Sequence, residues 1–134
     1  MKSRRTLARA LATGACAVGL VAGMRGQAWA GTVRIDAAWD AGHGIFNADP
    51  DGSIPGDAIK ACDTNSDGWA VEVALDYPPF DAKPDFKVDT RGHTANYCTG
   101  WTSRDIPETW TVRMYVTPVK GDSFGPSYYI DVHA

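Results

Sequence analysis

Cysteine is scarce in this chain of 134 residues, which contains three, and only Cys62 and Cys98 lie beyond residue 30. Beyond residue 30 there is no third cysteine, and no base lies close to Cys62 or Cys98 along the sequence, so neither a metal site nor a reactive thiol is indicated. In an oxidising compartment such a pair forms one disulfide. The sequence therefore predicts a Cys62–Cys98 bridge.

Helical periodicity is missing as well. After residue 30, no window sustains apolar residues at i, i+3 and i+4 through three turns, and no internal repeat or low-complexity tract occurs. An amphipathic helix needs that spacing to bury one face. A helical domain is therefore not expected.

The patterns that accompany catalysis are also rare. No serine lies in a Gly-x-Ser-x-Gly turn, and His43, His93 and His133 form no H-x-H or H-x3-H pair. His93 follows Arg91-Gly92 and is expected in a turn or a surface polar network rather than as a metal ligand or general base. Paired carboxylates for glycoside cleavage would need a cleft that a domain of about 100 residues hardly offers. We therefore predict a protein without catalytic activity.

Residues 1–30 differ in composition from the rest of the chain. They carry basic side chains and no acid, an apolar run of about fifteen residues, and the small-residue pattern Ala28-Trp29-Ala30. This order is typical of a signal peptide, and signal peptidase cuts after such a pattern. Residues 1–30 are predicted to be removed, leaving a secreted chain that begins at Gly31. The apolar run is too short to predict a membrane span.

Two export routes stay open. Residues Ser3–Leu7 resemble a twin-arginine export signal, and a basic segment for the general secretory route accounts for the same residues. A lipoprotein signal at Cys16 is disfavoured, because Thr13 stands where such signals carry a branched aliphatic residue.

Charge is one-sided in the predicted secreted chain. All sixteen acids lie after residue 30, against eight basic residues, so residues 31–134 carry a net charge of −8 with histidine neutral. A surface of that sign repels nucleic acid and anionic lipid headgroups, and neither is predicted as a partner. The charge favours solubility outside the cell.

Apolar and polar residues alternate in several short segments after residue 30, which is the period of a β-strand. The segments are 33–37, 59–61, 69–77, 86–90, 110–116 and 128–132. Glycine and proline separate them. We predict one all-β domain over residues 31–134, an antiparallel β-sandwich of about seven strands with Trp69 and Trp110 in its core.

Turn residues punctuate this pattern. Asn65–Gly68 is predicted to form a tight hairpin between two strands, and Lys120–Asp122 to join the last two. Asp40–Gly56 and Tyr77–Asp85 are rich in glycine or proline and are predicted as long surface loops. Such loops often carry binding residues.

The segment Ile106–Met114 resembles the corner and penultimate strand of fibronectin type III domains, where a proline, a threonine and an inward aromatic precede alternating valines. The resemblance implies an immunoglobulin-like or fibronectin III-like sandwich. The segment departs from the pattern because Trp110 replaces the tyrosine and the corner is one residue shorter, so the tyrosine-corner hydrogen bond is not implied.

Short motifs along the chain resemble a second group, the small secreted actinobacterial proteins of unassigned function. The motifs are Gly56-Asp57, Cys62-Asp63, Asp67-Gly68-Trp69, Thr90-Arg91-Gly92-His93 and Tyr97-Cys98. They cover about a third of residues 31–134, and this resemblance implies no chemistry.

Residues 63–68 copy the first half of an EF-hand calcium loop. Asp63, Asn65 and Asp67 are spaced as alternate oxygen ligands, but Ala74 occupies the twelfth position, where a bidentate acid belongs. Residues 47–52 offer a similar half loop. Because Asp, Asn and Gly are also the commonest turn residues, a plain turn is preferred, with calcium as the alternative and no other cofactor predicted.

Aromatic side chains give the better indication of function. Trp39, Trp101, Tyr115 and Tyr129 are predicted on loops or on the outward side of strands, where they suit stacking on sugar rings or contact with a protein. The simpler alternative gives aromatics structural roles, with Trp101 covering the disulfide. The sequence predicts a secreted, non-catalytic binding or structural module at the cell envelope or in the extracellular medium. Its partner would be a protein or cell-wall polysaccharide, with the oligomeric state left open.

The alternative function is a secreted inhibitor of an extracellular hydrolase. Such a protein would present one of the two predicted surface loops, Asp40–Gly56 or Tyr77–Asp85, to the active site of the enzyme.

Overall fold

The computed structural model describes residues 31–134, so the predicted signal peptide and Cys16 lie outside the described residues. The described chain is all-β, with one short 3-10 turn at Ala38–Asp40. Its ten strands, in chain order, are β1 Thr32–Asp36, β2 Gly42–Asn47, β3 Ala58–Asp63, β4 Ala70–Asp76, β5 Phe86–Asp89, β6 Tyr97–Cys98, β7 Thr102–Ser103, β8 Thr111–Lys120, β9 Ser123–Phe124 and β10 Tyr128–His133. Within residues 31–134 no helix is long and apolar enough to cross a membrane.

The strands form two antiparallel sheets that pack as a sandwich, as predicted. Sheet 1 has the order β1-β2-β3-β6, with β7 also paired to β3. Sheet 2 has the order β10-β8-β4-β5, with β9 also paired to β8. The described residues contain ten strands rather than about seven, partly because β6, β7 and β9 have two residues each, too few to show alternation.

The core lies between the inward rows of the two sheets. In sheet 2, Val71, Val73 and Leu75 of β4 are fully buried, and β8 places Met114 opposite Leu75. Phe46 and Ile59 of sheet 1 close the core from the other side. Period-two alternation therefore locates the core correctly on the central strands.

Strand β2 corrects one prediction, because it lies inside the segment expected as a loop, Asp40–Gly56. Its two glycines resemble loop punctuation in the sequence, yet both face the core. A Cβ on Gly44 would come within 2.5 Å of Val116 and 2.7 Å of Val73 on the opposite sheet. Glycine is therefore needed here so that the two sheets can approach closely.

The turn at Asn65–Gly68 corrects a second prediction. It does not close a hairpin, since β3 belongs to sheet 1 and β4 to sheet 2. A hairpin and a crossover to the other sheet need the same turn residues, and Gly68 adopts a positive φ of 79° as a hairpin would require. Only the pairing of distant strands decides whether the chain folds back or crosses over.

The predicted disulfide joins Cys62 of β3 to Cys98 of β6, which are paired directly across the two strands. Cys62 is buried and Cys98 is exposed. Because β6 has only two paired residues, the bridge reinforces a short pairing that backbone hydrogen bonds of Asn96 and Thr99 extend on either side.

Trp110 corrects a third prediction. It lies one residue before β8 and remains 36% exposed, in edge contact with Tyr77, rather than filling the core. Ile106 is buried at this corner instead, and its N–H donates to a carboxylate oxygen of Asp57 at 3.0 Å. Trp69 is half-buried and packs against the core, so its predicted position in the core is confirmed only in part.

Strand β10 forms one edge of sheet 2. Tyr128, Ile130 and Val132 share the inward row, but only Val132 is buried, while Tyr128 is 51% and Ile130 41% exposed. The facing edge strand β1 covers only part of this row, so one side of the sandwich stays partly open.

Candidate functional site

The outer side of sheet 2 carries a cluster of aromatic and charged side chains that we call the aromatic face. It consists of Phe80, Arg113, Tyr115, Tyr129 and Asp131. The guanidinium carbon of Arg113 lies 4.6 Å from the ring centroids of both Phe80 and Tyr129. Both rings therefore contact one cation, at the distance of a cation–π contact.

Strand pairing positions the central part of this face. Tyr115 and Arg113 of β8 are paired with Tyr129 and Asp131 of β10, so all four side chains project from the same side. The two tyrosine rings lie 5.6 Å apart. Arg113 donates two hydrogen bonds to the Asp131 carboxylate, at 2.7 and 3.0 Å. Because these groups stand on strands, their spacing is fixed by the sheet.

Phe80 reaches the face from the loop between β4 and β5. Carboxylates hold both ends of this loop, since Asp85 accepts the Tyr77 N–H at 2.7 Å and Asp76 accepts the Ala82 N–H at 3.0 Å. Phe80 itself is 40% exposed. The loop thus presents an apolar ring from a fixed base.

The opposite charges of Arg113 and Asp131 each stabilise the ionised form of the other. The hydrogen bonds with Asp131 raise the pKa of Arg113, and the same bonds lower the pKa of the Asp131 carboxyl. Both groups stay ionised at neutral pH. The face therefore offers a fixed charge pair beside two exposed rings, which suits it to binding.

The predicted contact residues do not form one site. Tyr115 and Tyr129 are neighbours on the aromatic face, with Tyr129 59% exposed and Tyr115 half-buried. Trp39 is 53% exposed but packs edge to face on Trp69, with ring centroids 4.9 Å apart. Trp101 lies near Lys60 of sheet 1, whose Nζ is 5.4 Å from its ring centroid.

Sequence analysis missed Phe80 and Arg113. Alternation in β8 does place Arg113 on the same side as Tyr115, so its position could have been inferred. Phe80 offered no such signal, because it lies in an irregular segment whose direction depends on tertiary hydrogen bonds.

The three histidines lie on different elements. His93 follows β5 and stacks flat on Tyr97, at 3.6 Å between centroids, while His133 at the end of β10 shares a hydrogen bond with Thr111 at 3.1 Å. His43 lies on β2 beside Cys62 of β3. Among residues 31–134 there is no group of three or more His, Cys, Asp or Glu side chains placed to hold a metal ion.

The predicted calcium ligands serve the backbone of their own turn. Asp63 accepts the N–H of Asn65 at 3.1 Å, and Asp67 accepts the N–H of Trp69 at 2.8 Å. These are Asx-turn contacts, and they account for the residue types without an ion. Calcium binding at Asp63, Asn65 and Asp67 stays a prediction.

His43 supports a prediction about acid stability. Burial, with the positive charges of Arg34 and Lys60, lowers the pKa of His43 below its usual 6.5. The unfolded chain therefore takes up this proton at a higher pH than the folded chain does. We expect the free energy of unfolding to fall as the pH drops through 6.5, and to level off below the folded pKa.

Chemical unfolding between pH 7.5 and 5 measures this effect. His43→Gln should remove that part of the pH dependence, whereas His133→Gln, at an exposed histidine, should leave it in place. An unchanged profile in His43→Gln would contradict the assignment.

Comparison with known proteins identifies no relative: no family model, no curated protein and no solved structure matches the chain. The fibronectin-like and actinobacterial resemblances stay predictions. The function must therefore be argued from the chain's own residues.

Proposed function

We propose that this is a non-catalytic binding protein that works outside the cytoplasm and contacts a polysaccharide of the cell envelope through the aromatic face. The observation that carries the proposal is the placement of two exposed rings, Phe80 and Tyr129, against Arg113, which pairs with Asp131. Everything in that arrangement is fixed by strand pairing or by an anchored loop.

The chemistry of a sugar chain suits such a surface. The C–H faces of sugar rings pack against aromatic rings, and their hydroxyls exchange hydrogen bonds with charged side chains. A chain of sugars is long and flat, so an open sheet face can bind it where a small ligand would need a pocket. Side chains already held in place lose little entropy on binding.

Two features support the extracellular part of the proposal. The composition of residues 1–30 is that of a signal peptide, and the Cys62–Cys98 disulfide belongs to an oxidising compartment. The net charge of −8 for residues 31–134 favours solubility there.

A pull-down on insoluble cell-wall polysaccharide tests the proposal. The double variant Phe80→Ala/Tyr129→Ala should bind at least about ten-fold more weakly, because each aromatic contact contributes about 1 kcal/mol. Trp101→Ala is the matched control, since it removes an aromatic ring from sheet 1. The proposal fails if wild-type protein stays in the supernatant, or if the control loses as much binding as the double variant.

One observation favours the inhibitor as a second candidate. Residues 78–85 are all exposed, and Phe80 stands on this loop as a side chain that could enter an enzyme's specificity pocket. The other candidate loop is much reduced, because β2 occupies part of it. If a panel of secreted proteases and amylases keeps its full rate with excess protein, the inhibitor is excluded.

A further inference from the structure

A cleft of about 560 Å³ opens at one end of the sandwich, and none of the residues of the aromatic face lines it. We call it the end cleft. Three connections meet there: the turn from β3 to β4, the loop from β5 to β6, and the hairpin from β8 to β9. Its volume is in the range of sites that hold one small molecule.

The walls of the end cleft are held by internal hydrogen bonds. The backbone carbonyl of Asp63 accepts the Asn96 N–H at 2.9 Å, which ties the β5–β6 loop to the end of β3. The side chain of the fully buried Thr90 accepts the Val71 N–H at 2.9 Å and fixes the start of the same loop. The Cys62–Cys98 disulfide holds the end of that loop on sheet 1. The cleft is therefore present before any ligand binds.

Two aromatic groups line the end cleft. His93 is exposed and lies flat on Tyr97, which supports one face of its ring. Trp69 contributes a half-buried indole that rests on Trp39. Such rings offer flat apolar surface for a sugar ring.

Lys120 and Arg91 bring two cationic side chains to the lining of the end cleft. Lys120 reaches over the β3–β4 turn, where its Nζ lies beside Gly68, and it forms no ion pair with any of residues 31–134. Arg91 is already ion-paired, since its Nη1 bonds the carboxylates of both Glu72 and Asp89. Its other terminal nitrogen, Nη2, donates no hydrogen bond within the described chain.

The one acid in the lining is largely shielded from a ligand by burial. Asp63 is only 4% exposed, and its Oδ1 already accepts the Asn65 N–H. The lining therefore combines the unpaired ammonium of Lys120, the guanidinium of Arg91 with its unbonded Nη2, and polar turn residues.

We propose that the end cleft binds a sugar unit that carries a carboxylate, as uronic acids do. The carboxylate would pair with Lys120 and the free Nη2 of Arg91, and the ring would lie against His93. The inference rests on the proposed function only in taking that unit to be part of the polysaccharide which the aromatic face contacts. It narrows that partner to a polysaccharide with isolated acidic units, because the net charge of −8 would repel a densely acidic chain as it repels nucleic acid.

Titration with glucuronate, followed by the amide shifts of an NMR spectrum, tests this site. Wild-type protein should show saturable shifts in the turns that line the cleft, and glucose and acetate should not reproduce them. Lys120→Gln should weaken binding about ten-fold, because it removes a charge-assisted hydrogen bond. Lys83→Gln is the matched control, at an exposed lysine of the β4–β5 loop.

Each other result overturns the inference. If glucose binds as tightly as glucuronate, the cleft does not recognise the carboxylate. If acetate binds as tightly, the cleft does not recognise the sugar ring. An undiminished affinity in Lys120→Gln would show that Lys120 does not contact the ligand. The polysaccharide pull-down separates the two proposals. If Lys120→Gln weakens binding and Phe80→Ala/Tyr129→Ala does not, the end cleft stands and the aromatic face fails.

Discussion

Removing the Cys62–Cys98 disulfide is expected to lower the free energy of unfolding by about 4 kcal/mol. The two cysteines are 36 residues apart, so the bridge closes a long loop in the unfolded chain and limits its entropy. The whole free energy of unfolding of a single small domain is about 5–15 kcal/mol, so this loss would leave a marginally stable fold.

Urea unfolding of Cys62→Ala/Cys98→Ser at neutral pH measures this loss. The substitutions match the sites, since Cys62 is buried and Cys98 exposed. A reductant should destabilise the wild type by a similar amount and should not affect the double variant. A loss below about 1 kcal/mol would show that the bridge adds little to the unfolded-state constraint. Glucuronate binding should weaken too, because Tyr97, which supports His93, lies beside Cys98.

Gly42→Ala is expected to destabilise the fold by more than about 3 kcal/mol, at the upper end of overpacking effects. A Cβ at this position would stand 2.0 Å from the carbonyl oxygen of Cys62 on the neighbouring strand. That oxygen belongs to the backbone of β3 and cannot rotate away, so β2 and β3 would have to separate.

Two other glycines give a graded control for Gly42. Gly44→Ala should cost about 1–3 kcal/mol, because its Cβ would meet valine side chains, which can shift. Gly100→Ala should change little, since nothing lies within 4 Å of the added atom. Thermal or urea unfolding of the three variants should therefore rank them in this order. If Gly42→Ala is as stable as Gly100→Ala, the close approach of β2 and β3 is wrong.

Much of the fold could be predicted from alternation alone. The segments around β4, β8 and β10 have strict period two, and each forms the strand that its pattern indicates. Strand β2 could not be found this way, because Gly42 and Gly44 replace the apolar residues that would have marked its inward face. There the core is completed by residues of the opposite sheet, which no local pattern reveals.

The turn at Asn65–Gly68 shows the same limit. Its residues specify a bend, and the bend exists, but whether the following strand pairs with the preceding one is decided by distant residues. Trp110 differs for a related reason: it continues the alternation of β8, yet the strand begins one residue after it and the side chain falls at the rim of the sandwich.

The candidate site could be predicted in part. Composition indicated exposed aromatics, and outward alternation identified Tyr115 and Tyr129, which the structure places side by side. Trp39 and Trp101 lie on other surfaces. Alternation does not fix the direction of a side chain in a loop, so the sequence could not show which surface they would join. Lys120 and His93 meet in the end cleft for the same kind of reason, since they come from connections 27 positions apart in the numbering.

The open edge of β10 has a consequence for handling the purified protein. The strand contains no lysine or proline, and Tyr128 and Ile130 leave apolar surface beside its unpaired backbone. Mutual repulsion between highly acidic molecules then keeps such edges apart in concentrated samples. Because salt screens that repulsion, buffers of low ionic strength are the safer choice for storage and for crystallisation screens.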